Sequence, residues 1–241
     1  MHPVARTAAA ALCTVAALGL TACGSLLEDS ASKEPFAGLT APEVTNKALA
    51  ATRAATSVRL AVTTESADGP VQVFVATGAR GACTGTFSMG SAGTMELIRA
   101  DGVVYTKSDE AMLRAASADS SGGDAEADVK KLNSRWVKAR PDDRRTAESL
   151  RYCDPRSVLD RLAAKSGTAR KGGQSSVGGR PTLTLTGAPA GTAGGSWTAS
   201  VATEGLPHLL RMRVTERGRP PLTVEFSEFG KPVTAKKPAT S

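Results

Sequence analysis

Short stretches in which apolar and polar residues alternate, bounded by turn residues, recur along this chain, and that period of two commits most of it to antiparallel sheet. Val58, Leu60 and Val62 alternate with Arg59, Ala61 and Thr63; Val71, Val73 and Val75 alternate with Gln72, Phe74 and Ala76 beyond an Asp68-Gly69-Pro70 turn. The pair reads as a hairpin. Residues 83–89, 94–99 and 103–107 continue the meander, with turns at 90–93 and Asp101-Gly102. A second set occupies 168–177, 181–186, 196–203, 209–215 and 222–227. In it Leu210, Met212 and Val214 alternate with Leu209, Arg211 and Arg213, and Leu222, Val224 and Phe226 with Thr223, Glu225 and Ser227. Each strand therefore has one wet face. Strands in succession with short connections argue against a doubly wound fold.

Helical signals sit before and between the two strand sets. Thr40-Ala41-Pro42-Glu43 is a helix start: Thr40 caps, Pro42 suits the first turn and Glu43 reaches back three residues. Val44, Ala48, Leu49, Ala51, Thr52 and Ala55 form its apolar face, and it should end near Ser57. In the middle, helices are expected over 109–116 and 125–133, separated by a polar Ser/Gly loop at 119–123. Asp154-Pro155 opens another, through Lys165, with Val158, Leu159, Leu162 and Ala163 apolar. The mixed-charge run Arg140-Pro141-Asp142-Asp143-Arg144-Arg145 reads as a solvated loop.

The N-terminus carries an address. A short positive leader with Arg6, an apolar run too short to span a bilayer, and Leu20-Thr21-Ala22-Cys23 follow one another in the order of a lipoprotein signal. Residues 1–22 are then a signal peptide, Cys23 receives the acyl chains, and 23–39 form a lipidated tether. A domain over 40–233 follows, with a disordered Lys/Pro/Ala-rich tail at 234–241. The expected location is the extracytoplasmic side of the cell membrane, held by lipid. The net charge of +7 falls by one when Arg6 leaves, and the remaining excess favours an anionic leaflet by about 1 kcal/mol per nearby Lys or Arg. Nucleic acid is not an expected partner, because the basic residues are scattered and no stacking aromatics accompany them.

Cys13 goes with the signal and Cys23 is acylated, which leaves Cys83 and Cys153 as a pair in an oxidising compartment. Bridged, they would close a loop of roughly 70 residues, with about 4 kcal/mol of stabilisation at most. Two free thiols or a metal pair are the alternatives; zinc would need shorter spacing or further ligands.

The order of helix, about five strands, helical insert and about five strands, with the anchor and the closing segment Val224-Glu225-Phe226-Ser227-Glu228-Phe229-Gly230-Lys231-Pro232-Val233, resembles the actinobacterial lipoproteins of the LppX and LprG type, within the wider LolA/LolB-like fold. Gly102-Val103-Val104-Tyr105-Thr106-Lys107 and Leu206-Pro207-His208-Leu209-Leu210-Arg211 also look like that pattern. The abundance of Ala, Gly, Thr and Arg fits a GC-rich actinobacterial source. The resemblance implies an α+β fold: a curved antiparallel sheet, an open half-barrel of about ten strands, covered on its concave side by helices. It also implies a non-enzymatic protein that binds or carries a lipid, glycolipid or acyl chain. With only 4% aromatic residues the chain departs from what a large lipid pocket suggests. The candidate lining is Val58, Leu60, Val62, Val73, Val75, Leu97, Leu159, Leu162, Leu210, Met212, Leu222 and Val224, though ordinary core accounts for each of them better, since alternation marks any half-buried sheet. An interaction or sensor/adaptor module with a filled core, recruiting an envelope protein, is the alternative.

Reactive chemistry has little to build on. No Gly-x-Ser-x-Gly occurs, and Ser30-Ala31-Ser32-Lys33 lies in the tether without the partner motifs of penicillin-interacting enzymes. Gly172-Gly173 and Gly178-Gly179 read as turns rather than phosphate loops. Asp142, Asp143 and Glu204 show no acid–base setting, and His208, the one histidine past the signal, reads as a strand-edge side chain. Neither metal nor cofactor is expected.

Overall fold

The computed structural model describes residues 35–118, 125–191 and 194–240. The expected signal, Cys23, the tether before Pro35 and the Ser/Gly loop at 119–123 lie outside these residues. Helix α1 (Ala41–Arg53) leads into β1 (Val58–Ser66), β2 (Gly69–Thr77), β3 (Cys83–Met89), β4 (Thr94–Ala100) and β5 (Val103–Ser108). The insert contains α2 (Glu110–Ala118), α3 (Ala125–Leu132), β6 (Val137–Ala139), α4 (Arg144–Leu150) and α5 (Pro155–Lys165). Then come β7 (Ser166–Val177), β8 (Arg180–Pro189), β9 (Gly195–Ala202), β10 (Leu209–Glu216) and β11 (Leu222–Ser227).

All eleven strands form one antiparallel sheet in the order β6-β5-β4-β3-β2-β1-β11-β10-β9-β8-β7. The two strand sets meet where β1 pairs with β11, and the curved sheet stays open between β6 and β7. Register keeps one apolar row in phase across both halves: Met212 faces Val224, Val224 faces Val62, Val62 faces Val73 and Val73 faces Phe87. That row and its neighbour, Phe226–Leu60–Val75–Gly85–Leu97, form the floor of the core. Gly85 sits in the row because a Cβ there would meet the Phe87 ring and Val75 Cγ2, each at 3.0 Å.

Helices α1 and α5, with the turn at 151–153, cover the inner face, burying Val44, Ala48, Leu49, Val158, Leu159 and Leu162. The Thr40 cap forms as expected: its backbone N–H donates to Glu43 Oε2 at 2.7 Å and its hydroxyl accepts from the Glu43 N–H. A bridge joins Cys83 at the start of β3 to Cys153, Cα atoms 5.7 Å apart, and ties the insert to the sheet.

Several details depart from the expectation, among them Gly172-Gly173, which lies inside β7 at an irregularity in its pairing with β8 rather than in a turn. Helix α1 stops at Arg53, since Ser57 is drawn to the closing segment, donating from Oγ to the Lys231 carbonyl at 2.7 Å and accepting from the Gly230 N–H. The charged run is loop only at its start: Asp143 accepts from the Thr146 N–H at 3.0 Å and so caps α4, which Arg144 and Arg145 open. The strand count rises by one because residues 137–139 pair with β5.

Candidate apolar seam between helices and sheet

Where α1 and α5 meet β8, β9 and β10, the packing leaves a narrow seam. It is bordered by Thr45, Ala48 and Leu49 of α1, Leu162 and Ala163 of α5, Ser166, and Leu185, Trp197, Ala199, Val201, Leu209 and Met212 of the sheet. Its volume is about 10 Å³, against the 300–1,000 Å³ typical of ligand pockets, so in this form the helices rest on the sheet. On the helix side Leu49 and Leu162 alternate with the smaller Thr45, Ala48 and Ala163, and Trp197 fills the floor, its indole N–H donating to the Ala188 carbonyl at 3.1 Å.

Of the twelve expected lining residues, Leu162 and Met212 border the seam. Val58, Leu60, Val62, Val73, Val75, Leu97, Leu159 and Val224 are buried in the same core away from it, and Leu222 is half-buried at its margin. Leu210 is buried but outside the main cluster: the pairing of β10 with β9 slips between Leu209 and Arg211, so Leu209 takes the inward place. Alternation across 209–214 could not reveal that bulge. Ala48 and Leu49, expected on the apolar face of α1 but not in the lining, border the seam as well, and so do Leu185, Trp197 and Val201, which lie on apolar-periodic stretches.

Few ties hold α1 over the seam. The buried Leu209 N–H donates to Thr52 Oγ1 at 2.9 Å, and Thr52 Oγ1 in turn donates to the Ala48 carbonyl at 2.8 Å. Arg53 meets Asp160 of α5 at 2.6 Å in an exposed ion pair, and Lys171 Nζ donates to the Phe36 carbonyl at 2.9 Å. Beside Leu209, His208 is 5% exposed rather than at a strand edge, its ring flat on Phe229 with centroids 3.9 Å apart. Burial, and then the charge of Arg180, hold its pKa below the ordinary histidine value, while the Ala51 carbonyl opposes them.

On the outer face, an open trough of about 540 Å³ runs over β1 to β4, with Phe74 half-exposed and Trp136 bordering it. Ion pairs of Arg59 with Glu228 and Lys107 with Glu96 stand beside it. Among the described residues no group of three or more His, Cys, Asp or Glu could hold a metal ion, and no helix is long and apolar enough to cross a membrane.

The chain is an open, curved, eleven-stranded antiparallel sheet with helices on its inner face, and two solved mycobacterial proteins share that fold. LprF from Mycobacterium bovis superimposes with a TM-score of 0.55 at 18% identity, covering 84% of this chain and 100% of that one. The lipoprotein LppX from Mycobacterium tuberculosis gives 0.50 at 17% identity, covering 81% of this chain and 99% of that one. At such identities the shared property is the fold. No protein-family profile and no curated protein sequence matches the chain.

Proposed function

We propose that this protein is a lipoprotein of the cell envelope, anchored by acylated Cys23 on the extracytoplasmic side of the membrane, that binds the acyl portion of a lipid or glycolipid between α1, α5 and the sheet without catalysis. The observation that carries the reading is the seam: an apolar helix–sheet contact with few polar ties, in a fold shared with LppX. At about 10 Å³ the seam is the closed form. A ligand would enter as the helices lift, and its own burial, at about 25 cal/mol per Å², offsets the helix contacts given up. No catalytic group is required.

The filled interior favours a second reading, an adaptor that recruits an envelope protein through its surface. One pair of experiments separates them. Protein exported through an ordinary cleavable signal with Cys23→Ser, purified from its host, should yield a stoichiometric co-purifying lipid by mass spectrometry of organic extracts and should take up a fluorescent fatty acyl probe. Absence of both, with crosslinking in intact cells capturing one stoichiometric protein partner, would replace the carrier with the adaptor. The anchor is checked separately: radiolabelled palmitate should enter the native protein and not Cys23→Ala.

A further inference from the structure

We propose that His208 is an acid-sensitive latch for α1: a proton on its ring frees the last turn of the helix from β10 and lets the seam beneath it open. The use of the opening rests on the carrier reading above; the opening itself does not.

Two adjacent residues at the start of β10 hold two adjacent residues at the end of α1. The His208 ring faces the Ala51 carbonyl, and the Leu209 N–H donates to Thr52 Oγ1 at 2.9 Å. Leu209 itself borders the seam, so the latch and the cover are one contact. The ring is buried, stacked on Phe229 at an interplanar angle of 3°, and among the described residues its Nδ1 is the buried side-chain nitrogen or oxygen left without a hydrogen-bond partner. A neutral ring tolerates a bare Nδ1 lone pair in that place. A protonated ring carries a second N–H and a full charge: the Ala51 carbonyl favours the added proton and so opposes release, but burial away from water penalises the charge more.

The neighbouring charges do not relieve this. Arg180, at the start of β8 and 6.0 Å from the Phe229 ring centroid, adds a like charge. On the other elements around the ring, Arg53 at the end of α1 is engaged by Asp160, and Glu228 in the closing segment by Arg59 and Lys231. Glu204 in the loop before His208 is exposed. Released from the pocket, the ring returns to the ordinary value near 6.5, whereas the closed form holds it lower. The open form thus binds more protons as pH falls below about 6.5, and each unit of pH favours opening by up to tenfold until the closed-form value is reached.

Hydrogen exchange read by mass spectrometry on the full protein in detergent, from pH 7.5 to 5.0 with intrinsic rates corrected, tests the latch. Residues 41–53 and 203–209 should lose protection by several-fold to tenfold below pH 6.5 while β1 to β4 stay protected. In His208→Phe, which keeps a flat ring against Phe229 but takes no proton, that response should vanish. A flat wild-type response, or one that persists in His208→Phe, overturns the proposal. Should His208→Phe not fold, NMR of labelled histidine in the wild-type protein decides. The His208 signal, recognised by its ring-current shift from Phe229, supports the latch if it titrates below 6.5 together with the loss of protection, and overturns it if it titrates at or above that value. These readouts involve no lipid, so failure of the lipid-capture experiment leaves them standing.

Discussion

Thr52 does two jobs with one hydroxyl, accepting from the Leu209 N–H and donating to the Ala48 carbonyl, both in the buried core. Thr52→Val keeps the shape and removes the acceptor, stranding a buried N–H at a cost of about 1–3 kcal/mol; urea unfolding should show it, and Thr52→Ser should restore most of the loss. The Cys83–Cys153 bridge works at greater sequence distance, 70 residues, by holding the insert to the head of β3. Its removal as Cys83→Ala with Cys153→Ala should lower stability by about 2–5 kcal/mol, read as a drop in melting temperature that dithiothreitol reproduces in the wild type and does not add to in the variant. His208 shows where residue-level reading stops. Its sequence neighbours suggested a strand edge, while the stacking on Phe229 comes from a segment joined to it only through the sheet.

At the scale of elements, α1 was legible because Thr40 and Glu43 write its start locally, and Thr40→Ala should cost about 1 kcal/mol in thermal unfolding. Its end was not, because Ser57 answers to Lys231 and Gly230 rather than to the helix. Strands were legible from alternation wherever the pairing is regular. They were misread at β10, where the slip against β9 exchanges Leu210 for Leu209. The same region gives a severe packing test. A Cβ at Gly187 in β8 would lie 1.8 Å from the Thr168 carbonyl oxygen and 2.6 Å from the Trp197 ring. Gly187→Ala should therefore destabilise the β7–β8–β9 end by about 3 kcal/mol or more, with loss of protection concentrated there in hydrogen exchange.

For the molecule as a whole, the decisive pairing is β1 with β11, which closes one sheet from two halves separated by the insert. Its free edges are blunted in different ways: β6 has three residues, and β7 is polar, carries Arg170 and Lys171, and has two irregularities in its pairing. Global stability should fall with acid in two stages. His208, held below its ordinary value when folded, contributes fully above about pH 6.5 and loses that contribution as pH drops through and below it. Glu216, whose carboxylate is held below the usual range first by its hydrogen bond with Lys165, contributes above about pH 4.5 and loses it as pH falls further. Denaturant titrations at a series of pH values should show His208→Phe removing the first stage and Glu216→Gln reducing the second, to which Glu43 and Asp142, also held below the usual carboxylate range, contribute.

The sequence by itself determined the period-two strands, the capped helix and the order of elements, and pointed to Cys83 and Cys153 as partners, because each is written in neighbouring residues or in simple counting. From these, with the resemblance, followed the open antiparallel half-barrel. Only the tertiary structure decided that the space between helices and sheet is filled, that Leu209 rather than Leu210 faces it, and that His208 is sealed beneath the end of α1. Those depend on how side chains far apart in the chain fill one volume, and a local pattern of apolar residues carries no measure of the volume they leave.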